Sequence, residues 1–257
     1  MSVENNVNAE NSVSAVNSGA EAQNKQREIV AMFDEIASNY DLANRILSFG
    51  IDVRWRKEAC EKAIKLCDKQ TLDILDIACG TGDMIAQWLK SSQGKEISRI
   101  VGIDPSAEML KIARQKLPPS VILQNGEAKD LRIEAQSADI LSIAYGLRNV
   151  VEVDLALSEF YRVLRTNGIL VILEFSKKDD ENIFDKIARF YTKRILPYIG
   201  GFISRNYKAY KYLPDSVDDF LSLEQIASKL RALGFEMKER KRYFGNVCSL
   251  IIAQKIK

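Results

Sequence analysis

Leu72-Asp73-Ile74-Leu75-Asp76-Ile77-Ala78-Cys79-Gly80-Thr81-Gly82-Asp83 is the stretch whose reading decides the fold. An apolar run of strand length, Leu72 to Ile77, meets a G-x-G turn, and a helical pattern opens at Asp83. In an open parallel sheet such a strand-to-helix turn faces the ligand crevice. Gly80 and Gly82 let the backbone approach a ligand closely, and Asp83 suits the positive end of the new helix.

Outward from this turn the pattern repeats. Further strand candidates are Arg99 to Ile103, Val121 to Leu123, Asp139 to Tyr145 and Gly168 to Phe175, and helical stretches begin near Ser106 and Val153. Strand, helix, strand units of this spacing predict an α/β fold, a doubly wound, mostly parallel sheet covered on both faces. Near the end, Leu223 to Leu233 reads as a helix, and Phe235 to Lys241 with Val247 to Ala253 as an antiparallel edge hairpin.

Before the first strand the spacing is helical. Ile29, Met32, Phe33, Ile36 and Ala37 share one face, Trp55, Ala59, Ala63 and Leu66 another, and Gly50 separates the two runs. Residues 1–24 hold six Asn and three Glu without a Lys, Arg, aromatic or Pro, which reads as a disordered polar tail with none of the features of a signal peptide. The organisation expected is this tail, then one domain over 25–257, with a helical lid at 25–68 and a cap or substrate segment at 182–214.

Composition narrows the chemistry. The 257 residues suffice for one large domain or two small ones, and the longest aliphatic run, Ile169 to Leu173, is too short to span a bilayer. A formal charge of +2 from 37 basic and 35 acidic side chains gives no ground for a nucleic-acid partner. The chain has no histidine, which removes Ser-His-Asp triads, histidine bases and His-containing zinc sites. Cys60, Cys67, Cys79 and Cys248 form no C-x-x-C pair, so no metal site is expected and a reducing, cytoplasmic setting fits.

A second acid follows the turn at the spacing of an adenosine site. Asp104 ends the next strand, 22 residues after Gly82, where a ribose diol is gripped in Rossmann-type folds. The third glycine of a dinucleotide fingerprint is replaced by Ile85, and no phosphate-binding Lys follows the loop. A diphosphate ligand is therefore disfavoured. S-adenosylmethionine has no phosphate and carries two cations, for which Asp76 and Asp83 are suitable neighbours. Beyond the third strand, Glu127 of Gly126-Glu127-Ala128-Lys129-Asp130-Leu131 is placed to accept from an adenine amino group.

With these blocks the sequence resembles a class I S-adenosylmethionine methyltransferase, and more closely the UbiE/MenG family of ubiquinone and menaquinone C-methyltransferases, from about Met32 to the C-terminus. The blocks that carry the resemblance are Met32-Phe33 through Tyr40-Asp41 to Gly50, Leu75 to Asp83, Gly102-Ile103-Asp104-Pro105-Ser106, Tyr145-Gly146-Leu147-Arg148-Asn149-Val150, Leu173-Glu174-Phe175-Ser176-Lys177 and Tyr210-Lys211-Tyr212-Leu213-Pro214-Asp215-Ser216. The resemblance implies a seven-stranded sheet with an antiparallel last strand, N-terminal helices and a helical insertion after the fifth strand. It implies methyl transfer to a ring carbon of a prenylated hydroquinone, a demethylmenaquinol or a polyprenyl methoxybenzoquinol. It also implies that Thr81, Asp104, Glu127 and Ala128 touch the cofactor. This chain departs from the family in having Ala144 where a Ser is common, Tyr145 in a Phe place, Phe220-Leu221 for the usual F-P, and a reduced C-terminal turn at Phe244-Gly245-Asn246.

Carbon methylation is an in-line displacement governed by alignment of two bound molecules, and a hydroquinone is activated by loss or sharing of its hydroxyl proton. Without histidine, the expected catalytic set is Arg148 for a developing oxyanion, Asn149 to orient a hydroxyl or a water, and Tyr40 with Asp41 on the lid. Glu174 is a further carboxylate at the sheet's rim. The segment from Ile183 to Tyr212 carries eight of the 21 aromatic residues and seven Lys or Arg against one acid, Asp185. That segment fits either a tail tunnel beside the inner membrane surface or an insertion packed on the sheet. The competing functions are an S-adenosylmethionine-dependent enzyme for another small apolar substrate, an NAD-dependent oxidoreductase and a non-catalytic membrane-surface module.

Overall fold

The computed structural model describes the backbone of residues 3–175, 207–243 and 248–256, and the side chains of 19–46, 48–175, 211–212, 215–243 and 248–256. Four strands come first in the chain, β1 (Thr71–Ile77), β2 (Glu96–Asp104), β3 (Ile122–Asn125) and β4 (Ala138–Ala144). The long β5 (Leu164–Phe175), β6 (Phe235–Arg242) and β7 (Cys248–Lys255) complete it. Their order across the sheet is β3-β2-β1-β4-β5-β7-β6. All pairs from β3 to β5 are parallel, and β7 runs antiparallel to both its neighbours. The expected terminal hairpin forms, with β6 at the edge and β7 inside it, and β7 is the reversed strand that the resemblance implies.

After β1 the chain winds to one side through β2 and β3, and after β4 to the other. The carboxyl ends of β1 and β4 are therefore the place where the winding reverses and a crevice opens.

The helices follow from the strands' two-residue period. Leu72 and Ile74 of β1, with Ile169, Val171 and Leu173 of β5, face one core, which is filled by Trp88 and Ile85 of α3 (Asp83–Lys90) and by α2 (Ile51–Leu66). Leu75 and Ile77, with Leu170 and Ile172, face the other, which is filled by Phe160 of α5 (Val153–Val163) and by α7 (Leu223–Leu233). The run Ile169 to Leu173 is thus a strand covered on both sides, which explains why it shows no alternation. Helix α4 (Ala107–Lys116) follows β2, and α6 (Tyr207–Asp219) precedes α7.

The N-terminal helix differs from its expected bounds. Helix α1 spans Val3–Leu47 without a break at the boundary drawn near residue 24, and so continues back through the Asn-rich stretch read as a disordered tail. That stretch contains no proline, and its one glycine is Gly19, so nothing in it blocks helical backbone. Most of the 182–214 segment, the Ser176-Lys177 pair and the Phe244-Gly245-Asn246 turn lie outside the described residues. No helix among the described residues is long and apolar enough to cross a membrane.

Candidate functional site

The pocket lies over the carboxyl ends of β1, β2 and β4, with α1 across its top. Its floor is built from two turns that hold non-glycine residues in left-handed backbone. Ala78 after β1 has φ 51° and Tyr145 after β4 has φ 60°. A Cβ at Gly146 would stand 2.4 Å from the Ala78 Cβ, so the two turns interlock only because residue 146 has none. Gly80 is also left-handed, at φ 54°, but a Cβ added there would meet nothing within 4 Å. The glycine turn is therefore open where it lines the pocket, and a ligand can approach its backbone.

Asp104 is pinned beside that opening. Its carboxylate accepts hydrogen bonds from the Gly80 amide at 2.7 Å and from the Ser106 amide at 2.8 Å. Burial raises its pKa to about 6 against the pull of those two donors, with Asp34 adding to the rise. Glu127 and Ala128 line the adjoining wall. Ser106 caps α4 by accepting from the Met109 amide at 3.1 Å, and its hydroxyl donates to Asp34 of α1 at 2.5 Å.

Three residues expected at the cofactor do not line the pocket. Asp76 is buried behind the turn, where Ser142 donates to it at 2.6 Å and Trp88 Nε1 in turn donates to Ser142 at 3.0 Å. Desolvation pushes the Asp76 carboxyl up to about 7, although Ser142 and Arg56 oppose it. It supports the turn and does not line the pocket. The Thr81 hydroxyl is buried and donates to Asp41 at 2.5 Å, which joins the floor to the roof. Gly82 starts α3 at φ 85°, with Leu117 Cδ1 only 2.5 Å from where a Cβ would sit, so its role is close helix packing.

Asp83, read as a neighbour for a cation in the ligand, already has protein cations. Lys116 pairs with it, Arg45 lies 3.2 Å and Arg56 3.7 Å away. Burial works against its charge, yet these cations hold its carboxyl below the usual range. Lys116 also bonds Asp41 at 2.8 Å. Asp41, expected in the catalytic set, thus joins the lid to the loop and does not line the pocket.

The expected catalytic residues divide in the same way. Arg148 is buried, donating to Glu174 at 2.6 Å and to the Tyr145 carbonyl at 2.7 Å. Its own amide donates to the second Glu174 oxygen at 3.1 Å. The cation and the supposed rim carboxylate are therefore each other's partners. Asn149 does line the pocket, donating to the Tyr145 carbonyl at 3.4 Å and accepting from the Tyr212 hydroxyl at 3.2 Å. Tyr40 lines it as well. Burial raises the Tyr40 pKa, more than the Arg148 cation and a bond with Asn44 lower it, so Tyr40 keeps its proton and donates.

The sequence reading missed Gln26 and Tyr212. Gln26 clamps α1 to the loop after β4, donating to the Asn149 carbonyl at 3.3 Å and accepting from the Val151 amide at 3.1 Å. It lies two residues past the supposed tail, where nothing in a polar stretch distinguishes it. Tyr212 sits inside a block already recognised by resemblance, which could have marked it. The assembled arrangement holds a carboxylate suited to a diol at one end and neutral donors suited to a ring hydroxyl at the other. Among the described residues no group of His, Cys, Asp or Glu side chains could hold a metal ion.

A model of the ubiE/COQ5 methyltransferase family matches residues 21–255. The ubiquinone/menaquinone biosynthesis C-methyltransferase UbiE of Campylobacter jejuni is 51% identical over 234 residues, covering 90% of this chain and 99% of its own. The demethylmenaquinone methyltransferase of Thermus thermophilus is 40% identical over 217 residues, covering 83% and 96%. Among solved structures, a SAM-dependent methyltransferase of Thermotoga maritima aligns over 88% of this chain and 99% of that one with a TM-score of 0.57. At 18% identity that is a likeness of fold.

Proposed function

Because this chain belongs to the ubiE/COQ5 methyltransferase family, we propose that it transfers the S-adenosylmethionine methyl group to a ring carbon of a prenylated hydroquinone, a demethylmenaquinol or a polyprenyl methoxybenzoquinol. The observation that carries the reading is Asp104, held by two backbone amides at the open edge of the glycine turn. There it has the position and the charge to accept from both hydroxyls of a ribose.

The lining fits this cofactor better than a dinucleotide. The third glycine of a dinucleotide fingerprint is Ile85 here, fully buried in the core beneath the turn, and no Lys follows the loop to hold a diphosphate. That argues against the NAD-dependent alternative. S-adenosylmethionine, when bound, supplies an electrophilic methyl on a positively charged sulfur. Asp104 and the Gly80 backbone would hold its ribose end, with Glu127 and Ala128 at the adenine.

The remaining work belongs to the chain's own groups. Ile29, Val30 and Phe33 of α1 close the pocket over with apolar surface and exclude water from the transfer. Tyr40 and the Asn149 amide orient the ring hydroxyl, and Tyr40 donates to the phenolate oxygen left when that hydroxyl gives its proton to solvent; the hydrogen of the methylated ring carbon leaves the same way. Arg148, with most of its charge compensated by Glu174, positions the turn that presents Asn149. Its residual field favours negative charge near Tyr40 and Tyr212. A prenyl tail is a bilayer constituent, so this reading includes a cytoplasmic enzyme that touches the membrane periphery to collect substrate.

The test is incubation of the full chain with methyl-labelled S-adenosylmethionine and each reduced quinone precursor in turn, followed by identification of the labelled lipid. Label in the menaquinol, the benzoquinol or both supports the reading. A protein that binds the cofactor but labels neither overturns it.

A further inference from the structure

At the corner between α1 and α2, five large apolar residues are exposed over two fifths of their surface or more. Leu42 is 58% exposed, Ile46 44%, Phe49 78%, Ile51 46% and Val53 40%. Scattered single apolar residues are common on protein surfaces, but five within twelve positions make a patch. The corner is built and rigid. Phe49 donates its amide to the Ile46 carbonyl at 3.2 Å, Gly50 to Arg45 at 3.0 Å and Ile51 to Ser48 at 3.1 Å. Phe49 and Gly50 both adopt left-handed backbone, at φ 52° and 72°. The Ser48 hydroxyl donates to Asp52 at 2.7 Å, and Arg45 reaches the same carboxylate.

Between Leu42 and Lys57 the exposed charges are cations, and the flanking acids Asp41 and Glu58 are held in ion pairs with Lys116, Lys62 and Lys241. Asp52 is the only acid between Leu42 and Lys57, and it is buried between Arg45 and Arg56. Arg54 and Lys57 stay exposed, the latter with a distant partner, Glu61, at 3.7 Å. Exposed apolar side chains ringed by cations match the boundary between acyl chains and anionic headgroups. A two-fold contact with a second copy would instead set these cations against their own counterparts.

We infer that the α1–α2 corner is the surface by which this protein docks on an anionic lipid bilayer, inserting Leu42, Ile46, Phe49, Ile51 and Val53 while Arg54 and Lys57 meet headgroups. The inference rests on the proposed reaction, whose substrate carries a bilayer tail. It also gives the docking a consequence, since Tyr40 of the pocket lies two residues before Leu42, and Arg45 ties the corner to Asp83 at the pocket's glycine turn. Shallow insertion brings the pocket's roof helix to the lipid surface, and the prenyl tail need not leave the bilayer when the ring is methylated.

The test is sedimentation of the full chain with vesicles of phosphatidylglycerol and phosphatidylethanolamine. The wild type is compared with an Ile46→Gln, Phe49→Asn, Ile51→Gln variant and with an Arg54→Glu, Lys57→Glu variant. Asparagine is chosen at 49 because it tolerates the left-handed backbone. Thermal unfolding checks that each variant folds. Both variants are expected to bind the vesicles at least tenfold more weakly. Turnover of a soluble quinol bearing a single isoprene unit is expected to be unchanged, and turnover of the long-tailed quinol in vesicles to fall with binding. Wild-type protein that ignores the vesicles, or variants that bind like wild type, overturn the docking surface even when the soluble quinol is methylated. A dimer in light scattering that the apolar substitutions dissolve overturns it as well. Vesicle binding that both variants lose, with no quinol of either kind methylated, leaves the surface standing and removes the proposed reaction.

Discussion

The Thr81 hydroxyl, in the turn that floors the pocket, donates a 2.5 Å hydrogen bond to the Asp41 carboxylate of the helix that roofs it. Lys116 at the end of α4 binds the same carboxylate and also Asp83, so lid, glycine turn and α4 meet at one point. Loss of the Asp41 acceptor leaves a buried hydroxyl unpaired and frees the lid. Asp41→Ala is expected to cost about 1–2 kcal/mol of cofactor affinity, an increase in Kd of about fivefold to thirtyfold. Thr81→Val is expected to reproduce most of that loss. Calorimetric titration with S-adenosylhomocysteine measures both, and unchanged Kd values would show that the lid closes without this contact.

The second prediction concerns the pair beneath the pocket. The Arg148 and Glu174 side chains are both buried, and each is the other's charged partner, while Arg148 Nε has no hydrogen-bond partner. Removal of one partner leaves an uncompensated charge in the interior, so Glu174→Gln is expected to destabilise the fold by about 3–5 kcal/mol. Replacing both, as Arg148→Met with Glu174→Leu, is expected to recover much of that stability but not the turnover, because the turn presenting Asn149 loses its anchor. Urea unfolding of the single and double variants decides. A single variant as stable as wild type would show that water reaches the pair.

What the sequence made legible was whatever depends on local period or on a turn. All seven strand candidates lie within one or two residues of observed strands except at the start of β5 and β2, which reach back through Leu164-Arg165-Thr166-Asn167 and Glu96-Ile97-Ser98, where Leu164 and Ile97 stand singly among polar residues and make no apolar run. The position of Asp104 was legible because a strand end followed by Pro105 permits little else. Side-chain partnerships were not. Arg148 and Glu174 are 26 residues apart in the chain and Asp41 and Thr81 are 40 apart, and only the sheet order brings them together. Asp76 shows the same limit. A carboxylate at the end of a buried strand points to the ligand or away from it according to the pleat, and here Ser142 on the neighbouring strand turns it inward.

Asp76 also gives a prediction in pH. Its native carboxyl titrates at about 7 against an ordinary 3.8, so between those values the folded protein holds a proton that the unfolded chain has lost. Stability therefore falls as pH rises through that window and levels off above about 7, with a slope of up to about 1.4 kcal/mol per pH unit from this group. Asp104, raised to about 6, contributes the same sign but saturates earlier. Asp76→Asn is expected to flatten the curve between pH 6 and 7 in particular. Denaturant melts at half-unit pH intervals test this, and an unaltered slope in the variant would assign the proton to another group.

The last prediction separates donor from base at the substrate. Tyr40 lines the pocket, and burial lifts its pKa above that of free tyrosine in spite of the nearby Arg148 cation. Across pH 6 to 9 it therefore remains protonated, able to donate to a phenolate oxygen and unable to remove the ring hydroxyl's proton. Tyr40→Phe is expected to lower kcat by about a hundredfold, the usual scale for one lost donor to a developing oxyanion, with little change in cofactor Kd. The shape of its pH–rate profile is expected to match the wild type's, since no limb of that profile belongs to Tyr40. Stopped assays with the reduced quinol at fixed saturating cofactor give both quantities. Disappearance of a basic or acidic limb in the variant would make Tyr40 a titrating participant and reverse the assignment, and a kcat within twofold of wild type would leave the Asn149 amide as the group that meets the oxygen.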